Sequence, residues 1–255
     1  MNPAAHGLDG VADAGVFLTR LLRVDRAALV RLRPAPPDPR RGAATALWAP
    51  LPWRVLVTRA VAGPGPATPE GAAADATVGA ADLREVLAAG REELPARADT
   101  RWRWPLPTAA AVVLERVPAA ALAATAEAAA AALREARDRG TAGERVLRDA
   151  LLDHVTITVD APHTPGKPDD FRSPPGEPVA VPQRLIQAVV RMGFLGALNG
   201  IAERSVDVCV SGTWVGLAAP YGTAWLPRSG GFTLNTQFVH TLGHGQLASS
   251  VRQWT

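Results

Sequence analysis

The sequence predicts an α+β fold in which helices pack on a mainly antiparallel sheet, and three observations support this class. An amphipathic run begins with a proline at 181–192, and three short strand-like runs follow it between 205 and 226. A long alanine-rich run lies between Pro118 and Gly140. Proline is favoured in the first turn of a helix and glycine just after the last, whereas apolar residues at every second position are typical of strands.

The first part of the chain predicts one amphipathic helix, several short elements and proline-rich loops. The apolar spacing of 16–24 is that of a helix with Arg20 and Arg23 on its outward side. Proline removes a backbone donor and fixes φ, so the segment 34–41 is predicted as a surface loop and not as a strand. The other elements predicted here are a strand at 28–33, a hairpin of 45–48 with 53–59, a loop at 62–76, a helix at 78–89 and a strand at 101–105.

The rest of the chain predicts longer helices and a strand-rich end. A helix is expected at 119–139, and Thr141 with Glu144 matches a capping box that starts a second helix. That helix is expected to end near Asp153 and to turn four residues inward: Val146, Leu147, Ala150 and Leu151. The remaining predicted elements are strands at 111–117 and 155–159, a proline- and glycine-rich connection at 161–180, a helix at 181–192 and strands at 205–210, 213–217 and 221–226.

These elements form one compact body or two subdomains that meet near Pro118. The predicted division is an α+β subdomain at 14–117, a helical pair with the last helix and hairpin at 118–228, and a flexible tail at 229–255. No internal repeat is visible in the sequence.

Charge and cysteine content narrow the class of protein. The chain carries 27 basic residues against 24 acidic ones, a net charge of +3, which is too small to predict a strong nucleic-acid binder. The charge is uneven, because nine arginines stand against four acidic residues in 1–60. A single cysteine excludes an internal disulfide and fits a reducing compartment. The N-terminus does not resemble a signal peptide and no apolar run reaches membrane-spanning length, so we expect a cytoplasmic protein that does not enter a membrane.

One candidate site is a winged-helix-like segment at 181–226. A helix followed by glycine, an apolar pair and a β-hairpin resembles the end of a recognition helix with its wing. Arg184, Gln187 and Arg191 share one side of this helix and are candidates for contacts with phosphates or base edges. Against this interpretation, the long segment 161–180 precedes the helix, whereas a helix-turn-helix needs a turn of a few residues.

A second candidate site is aromatic. The chain has seven tryptophans and one tyrosine, and Trp102 and Trp104 share a face of the predicted strand 101–105, between arginines. Such a set can stack a planar ligand or a single-stranded base. Trp214 and Trp225 are expected to be hairpin partners, so the alternative for all four residues is that they close a small core.

The catalytic and metal candidates are weaker. His240 and His244 have helical spacing for a metal, but glycines surround them and no third ligand is evident. Cys209 with His154 or His163 as base lacks a neighbour that lowers the thiol pKa. Asp153 and His154, with Asp169 and Asp170 downstream, do not form a dyad from spacing alone. Phosphate-binding and dinucleotide-binding glycine motifs and paired cysteines are absent, so no catalytic residue, metal or cofactor is predicted.

The sequence therefore predicts a non-catalytic cytoplasmic module that binds a protein partner or a small ligand. Two alternatives stay open. One is a DNA-binding regulator that uses the helix at 181–192, and the other is an enzyme whose site the motifs do not reveal.

Overall fold

A computed structural model describes residues 4–39, 42–67, 74–107, 110–140, 144–160, 178–197 and 204–228. The helices in these residues are α1 (Val11–Val24), α2 (Ala80–Ala88), α3 (Ala119–Asp138), α4 (Glu144–Asp153) and α5 (Gln183–Arg191). The strands are β1 (Leu29–Asp38), β2 (Gly42–Pro50), β3 (Leu56–Ala62), β4 (Ala76–Gly79), β5 (Val112–Pro118), β6 (Val155–Val159), β7 (Val179–Pro182), β8 (Ser205–Ser211), β9 (Trp214–Ala219) and β10 (Gly222–Pro227).

Eight strands form one antiparallel sheet in the order β4-β1-β2-β3-β10-β9-β8-β5, and β6 pairs with β7 in a small second sheet. The predicted α+β class with mainly antiparallel sheet is confirmed. None of the described helices is long and apolar enough to cross a membrane.

The large sheet consists of two halves with the same arrangement of elements. In the first half, α1 leads into the meander β1-β2-β3, and the edge strand β4 leads directly into α2. In the second half, the edge strand β5 leads directly into α3, and α5 leads into the meander β8-β9-β10. The halves meet where β3 pairs with β10, with Thr58 opposite Thr223. When the two halves are compared outward from the central pair β3 and β10, helix α1 corresponds to α5, and helix α2 corresponds to α3.

One hydrophobic core fills the space between the sheet and the helices of both halves. Helix α1 buries one stripe at the spacing of an amphipathic helix, formed by Ala14, Phe17, Leu18 and Leu21. The ring of Phe17 stacks on that of Phe194, which follows α5, with 6.4 Å between centroids and 6° between planes. Because this contact crosses from one half to the other, the halves share a core.

Most elements predicted from periodicity are confirmed. The long helix begins directly after Pro118 and ends just before Gly140, and the predicted hairpin of 45–48 with 53–59 is the β2–β3 pair. Strands β8, β9 and β10 lie where alternation predicts them. The predicted helix at 78–89 begins only at Ala80, because Val78 belongs to β4 and pairs with Val30.

The prediction of a loop at 34–41 is wrong for most of its described part. Strand β1 continues to Asp38 and pairs Pro34 with Thr45 of β2. Among the described residues, β4 pairs with 29–32 only, so no described strand lies beside the proline-containing end of β1 on that side. Proline is tolerated at such an edge because the missing N–H has no ladder partner there.

The prediction of a strand at 101–105 is also wrong. Residues Asp99–Arg101 form a short 3-10 turn, and 102–107 follow without regular structure. We call 102–107 the strap, because it lies over the face of the large sheet opposite the helices, which we call the outer face. Alternation of tryptophan and arginine matched a strand pattern, but no neighbouring strand offers this segment a partner in the described ladders.

The inward face predicted for α4 is wrong in part. Val146 is 67% exposed and Ala150 is exposed, whereas Leu147 and Leu151 are half-buried. Helix α4 rests on α3 and α5 at the periphery of the protein. Only one narrow stripe of α4 contacts α3 and α5, so the adjacent stripe with Val146 and Ala150 faces solvent.

Candidate functional site

The four predicted ligand-binding tryptophans come together on the outer face. Trp214 lies on β9 and Trp225 on β10, while Trp102 and Trp104 reach them from the strap. With these four, the tryptophan cluster contains Leu56, Cys209, Trp48, Leu106 and Ala218. The two tryptophans of the strap and the two of the β9–β10 hairpin therefore belong to one cluster. Trp214 and Trp225 lie on neighbouring strands as predicted, but they are not directly opposite each other, because Trp214 pairs with Pro227 and Trp225 with Gly216.

A glycine makes room for the indole of Trp225 in this cluster. Gly216 lies opposite Trp225 on β10 and opposite Cys209 on β8. A Cβ atom at Gly216 would lie 2.6 Å from Cε3 of Trp225 and 3.0 Å from Sγ of Cys209. The indole thus covers the bare backbone of Gly216, which a side chain at that position would prevent.

Asp99 attaches the start of the strap to the sheet. Its Oδ1 accepts a 2.7 Å hydrogen bond from the Thr77 backbone N–H, and its Oδ2 accepts a 2.6 Å bond from Nε of Arg97. Burial alone would raise the pKa of Asp99, but the hydrogen bonds from Arg97 and Thr77 outweigh it and hold the pKa below its ordinary value. The carboxylate is therefore the form that holds the strap.

Trp102 continues this attachment into the cluster. Its Nε1 donates a 2.5 Å hydrogen bond to the carbonyl of Trp104, and the Arg31 guanidinium carbon lies 5.7 Å from the ring centroid. Arg31 also donates a 2.8 Å hydrogen bond to Asp75. The guanidinium is thus held between a carboxylate and an indole face, an arrangement that favours a fixed ring position.

Exposure decides what the cluster offers to a ligand. Trp102, Trp214 and Trp225 are only 9%, 4% and 7% exposed, and Trp104 is half-buried. The indoles therefore pack mainly on each other and on the sheet, and Trp104 presents the most accessible ring of the four. Ligand binding by these tryptophans stays a prediction.

The three residues predicted for nucleic-acid contact are held within the protein. Arg184 forms an ion pair with Asp153 and donates a 3.2 Å hydrogen bond to the carbonyl of Trp53. Gln187 donates a 3.2 Å hydrogen bond to the carbonyl of Ala126 in α3. Arg191, the exposed member, lies 5.4 Å from the ring of Trp53.

The surroundings of α5 differ from those of a recognition helix. Burial first, and then the charge of Arg54, lower the pKa of Arg184. The helix packs on β9 and β10 and is flanked by α3 and α4, and β6 and β7 separate it from the preceding helix. A recognition helix needs a free face for the major groove, and this geometry does not favour that role for α5.

Cys209 lies within the tryptophan cluster and is 1% exposed. Burial, and to a smaller extent the charge of Asp207, raises the pKa of its thiol to about 11. A thiol that stays protonated near neutral pH is a poor nucleophile. In the described part of the chain, no hydrogen bond joins His154 to it, and no group of three or more His, Cys, Asp or Glu is arranged to hold a metal. His163, His240, His244, Asp169 and Asp170 lie outside the described residues.

A groove along α1 and α2 was not predicted as a site. Its volume is about 470 Å³, which lies within the roughly 300–1,000 Å³ of ligand pockets. It is lined by Val11, Ala12, Gly15, Val16, Thr19, Arg20, Arg23, Arg84, Leu87 and Ala88. We call this surface the α1–α2 groove. The described residues of its lining include three arginines and no acidic residue.

The arginines of the groove are differently placed. Arg23 and Arg84 are exposed, whereas the Arg20 guanidinium lies against Gly193, beyond the end of α5. A cation next to the C-terminus of a helix is favourable, so Arg20 also serves the fold. Within the described residues, none of the three has an ion-pair or hydrogen-bond partner.

Two sequence signals pointed toward this groove without identifying it. Arg20 and Arg23 were expected on the outward side of α1, and 1–60 carries an excess of arginine. Neither signal indicates that α2, some sixty residues further along the chain, lies beside α1 and adds Arg84.

The comparisons with known proteins divide the chain in the same place as the two halves of the sheet. Residues 7–105 match the domain of unknown function DUF8010, and residues 106–231 match the domain of unknown function DUF8185. No curated protein matches the chain. Among solved structures, the chain is similar to one assigned as a DNA polymerase III beta subunit from Eubacterium rectale, at 9% identity and a TM-score of 0.45, over 92% of this chain and 66% of that one. The chain therefore contains two consecutive regions that match two different domains of unknown function, and each region corresponds to one half of the large sheet.

Proposed function

We propose that the chain is a non-catalytic, cytoplasmic interaction module that binds a protein partner in the α1–α2 groove. The observation that carries this proposal is an open cationic surface on α1 and α2 that includes two exposed arginines, Arg23 and Arg84. Arg23 and Arg84 are exposed there without a partner among the described residues, and Val16 is 47% exposed beside them. Exposed apolar side chains next to arginine are typical of protein interfaces.

Gly15 supports the same interpretation. Glycine within a helix costs about 0.5–1 kcal/mol relative to alanine. A Cβ atom at Gly15 would meet nothing within 4 Å, so the packing of this chain does not require a glycine there. Close approach of another backbone is a reason for glycine at such a place.

The test is a photo-crosslinking amino acid, p-benzoylphenylalanine, placed at Val16, with the same substitution at Val146 as a control. Val146 is an exposed helical valine in the second half and, at 67% exposed, is at least as accessible as Val16. In cells that express the chain, we expect one adduct of defined mass from position 16 and none of that mass from position 146. The Gly15→Met variant, which fills the groove, should remove the adduct. Identical adducts from both positions, or an adduct that survives Gly15→Met, would refute the proposal.

A second candidate is a small planar ligand at the tryptophan cluster. Nε1 of Trp225 is buried and has no hydrogen-bond partner among the described residues. A buried donor without an acceptor costs about 1–3 kcal/mol, and a ligand acceptor beneath the strap would satisfy it. Titration with planar heteroaromatic compounds should quench the tryptophan fluorescence, and Trp225→Phe should weaken the binding because it keeps a ring and removes the donor. Unchanged affinity in Trp225→Phe would exclude this role for Nε1.

A further inference from the structure

We propose that the partner places an acidic amphipathic helix in the α1–α2 groove, in the way that α4 rests on α3 and α5. This inference rests on the proposed function, since it names the kind of segment that the groove binds. Four observations support it. The corresponding surface of the second half is covered by a helix, and the α1–α2 groove has a suitable length, small residues and positive charge.

The second half shows how a helix covers the corresponding surface. Helices α5 and α3 correspond to α1 and α2, and α4 packs on both of them. Asp153 at the end of α4 forms an ion pair with Arg184 of α5. One amphipathic helix with a carboxylate thus covers this position in the second half, whereas in the first half the groove is open.

The dimensions of the groove fit a helix of similar length. Its lining on α1 extends from Val11 to Arg23, which at 1.5 Å per residue is about 18 Å. Helix α4 has 10 residues and is about 15 Å long by the same rise. Three turns of a partner helix therefore fit along α1.

The small residues of the groove allow two helices to approach closely. Ala12, Gly15 and Thr19 follow each other at helical spacing on the exposed side of α1, and Ala88 faces them from α2. Helices pack with axes 8–10 Å apart, and the side chains at the contact set the distance. Val11 and Val16, which are 38% and 47% exposed, flank this row and supply apolar contact.

The positive charge of the groove favours a partner helix whose polar side is acidic. Arg23 and Arg84 are fixed cations at its rim, and carboxylates are their natural partners. Duplex DNA needs a wider positive surface, whereas this groove has an apolar floor and the chain has a net charge of only +3. An acidic helix with one apolar stripe places carboxylates beside Arg23 and Arg84 and apolar side chains on the apolar lining of the groove.

The test measures binding of the full-length chain to a fluorescent, helix-stapled peptide of sequence 144–153 that carries Arg145→Glu and Arg148→Glu. These changes keep the apolar stripe of α4 and make the polar side acidic. The controls are a scrambled peptide of the same composition and a 20-base-pair duplex DNA. The protein variants are Gly15→Met, the double variant Arg23→Ala/Arg84→Ala, and a matched double variant, Arg101→Ala/Arg134→Ala, which removes two exposed arginines outside the groove. Circular dichroism of each variant checks that the fold is intact.

We expect the acidic peptide to bind the native chain and the scrambled peptide to bind at least about tenfold more weakly. Gly15→Met and Arg23→Ala/Arg84→Ala should each weaken peptide binding by about tenfold, and the matched double variant should bind as the native chain does. Equal binding of the scrambled peptide, or tighter binding of DNA through Arg23 and Arg84, would overturn the inference. If the peptide does not bind although position 16 still crosslinks a partner, the acidic helix is excluded and the proposed function stands. If both experiments fail, both proposals fall.

Discussion

The two halves of the large sheet have the same spatial arrangement of strands and helices, but their helical surfaces differ in whether another helix covers them. In the second half, α4 lies over α3 and α5, and polar residues of α5 such as Arg184 and Gln187 are held by neighbouring elements. In the first half, the matching surface of α1 and α2 is an open groove lined by arginines that have no ion-pair or hydrogen-bond partner among the described residues. The same backbone arrangement therefore produces a covered interface in one half and an available one in the other.

The order of elements along the chain explains this difference. In the second half α3 precedes α5, and α4, which lies between them in the chain, packs on both helices. In the first half α1 comes first and α2 last, and four strands of the large sheet, β1 to β4, lie between them. The described part of the chain between α1 and α2 contains no helix that could cover the groove.

The largest expected effect tests whether the halves share one core. Phe194→Ala should lower the free energy of unfolding by about 3–5 kcal/mol, because it removes a fully buried ring and leaves a cavity. Phe17→Ala should have a similar effect, since the two rings stack. Denaturant unfolding followed by tryptophan fluorescence and by circular dichroism should give one coincident transition. Two separate transitions would show that the halves are independent units.

The second prediction concerns pH and the outer face of the second half. On β8 this face carries buried Cys209, whereas on the corresponding β1 it carries the charged Arg31 and Arg33. Burial raises the pKa of the Cys209 thiol from 9.0 to about 11, so its contribution to stability is complete below pH 9 and is lost as the pH rises toward 11. The native chain should lose roughly 2 kcal/mol more over this range than Cys209→Ala. Denaturant titrations at both ends of the range measure this, and parallel losses in the two proteins would contradict it.

The third prediction uses a glycine that the fold requires. Gly216→Ala should destabilise the protein by about 1–3 kcal/mol, since overpacking forces neighbouring groups to move. Its new methyl group would meet Trp225 and Cys209. Thermal unfolding should show a lower midpoint together with a changed tryptophan emission. An unchanged midpoint would mean that the indole of Trp225 does not lie over this glycine.

The smallest effect comes from a glycine that the fold does not require, and it should have the opposite sign. Gly15→Ala should raise the free energy of unfolding by about 0.5–1 kcal/mol, because alanine favours the helix and its methyl group meets nothing within 4 Å. The same thermal unfolding assay measures it, with Gly216→Ala alongside. A loss of stability in Gly15→Ala would show that Gly15 is already in contact with another part of this chain.

The helices and strands that the sequence predicts correctly are those whose signals lie in neighbouring residues. Pro118 and Gly140 mark the ends of α3, and alternation marks β8 to β10, because caps and period-two patterns are properties of neighbouring residues. The sequence predictions failed at 34–41 and 101–105. Whether a proline-rich segment joins a ladder depends on which strand lies beside it, and whether alternating tryptophans form a strand depends on whether a partner strand is available.

The candidate sites show the same division. The four tryptophans were recognised as a group by their composition, but only the sheet order brings β9, β10 and the strap together and buries three of the indoles. The α1–α2 groove combines Arg20 and Arg23 with Arg84 of a helix that begins at Ala80. Contacts between such distant segments leave no periodic signal in either one.

The sequence by itself therefore determined the fold class and most helices and strands, because helix caps and hydrophobic periodicity are local. The tertiary structure alone decided that the chain contains two halves with the same spatial arrangement, since the elements of the two halves follow in a different order along the chain and share no visible repeat. It also decided which helical surface is covered. That depends on where α4 packs, and packing is a property of the assembled chain.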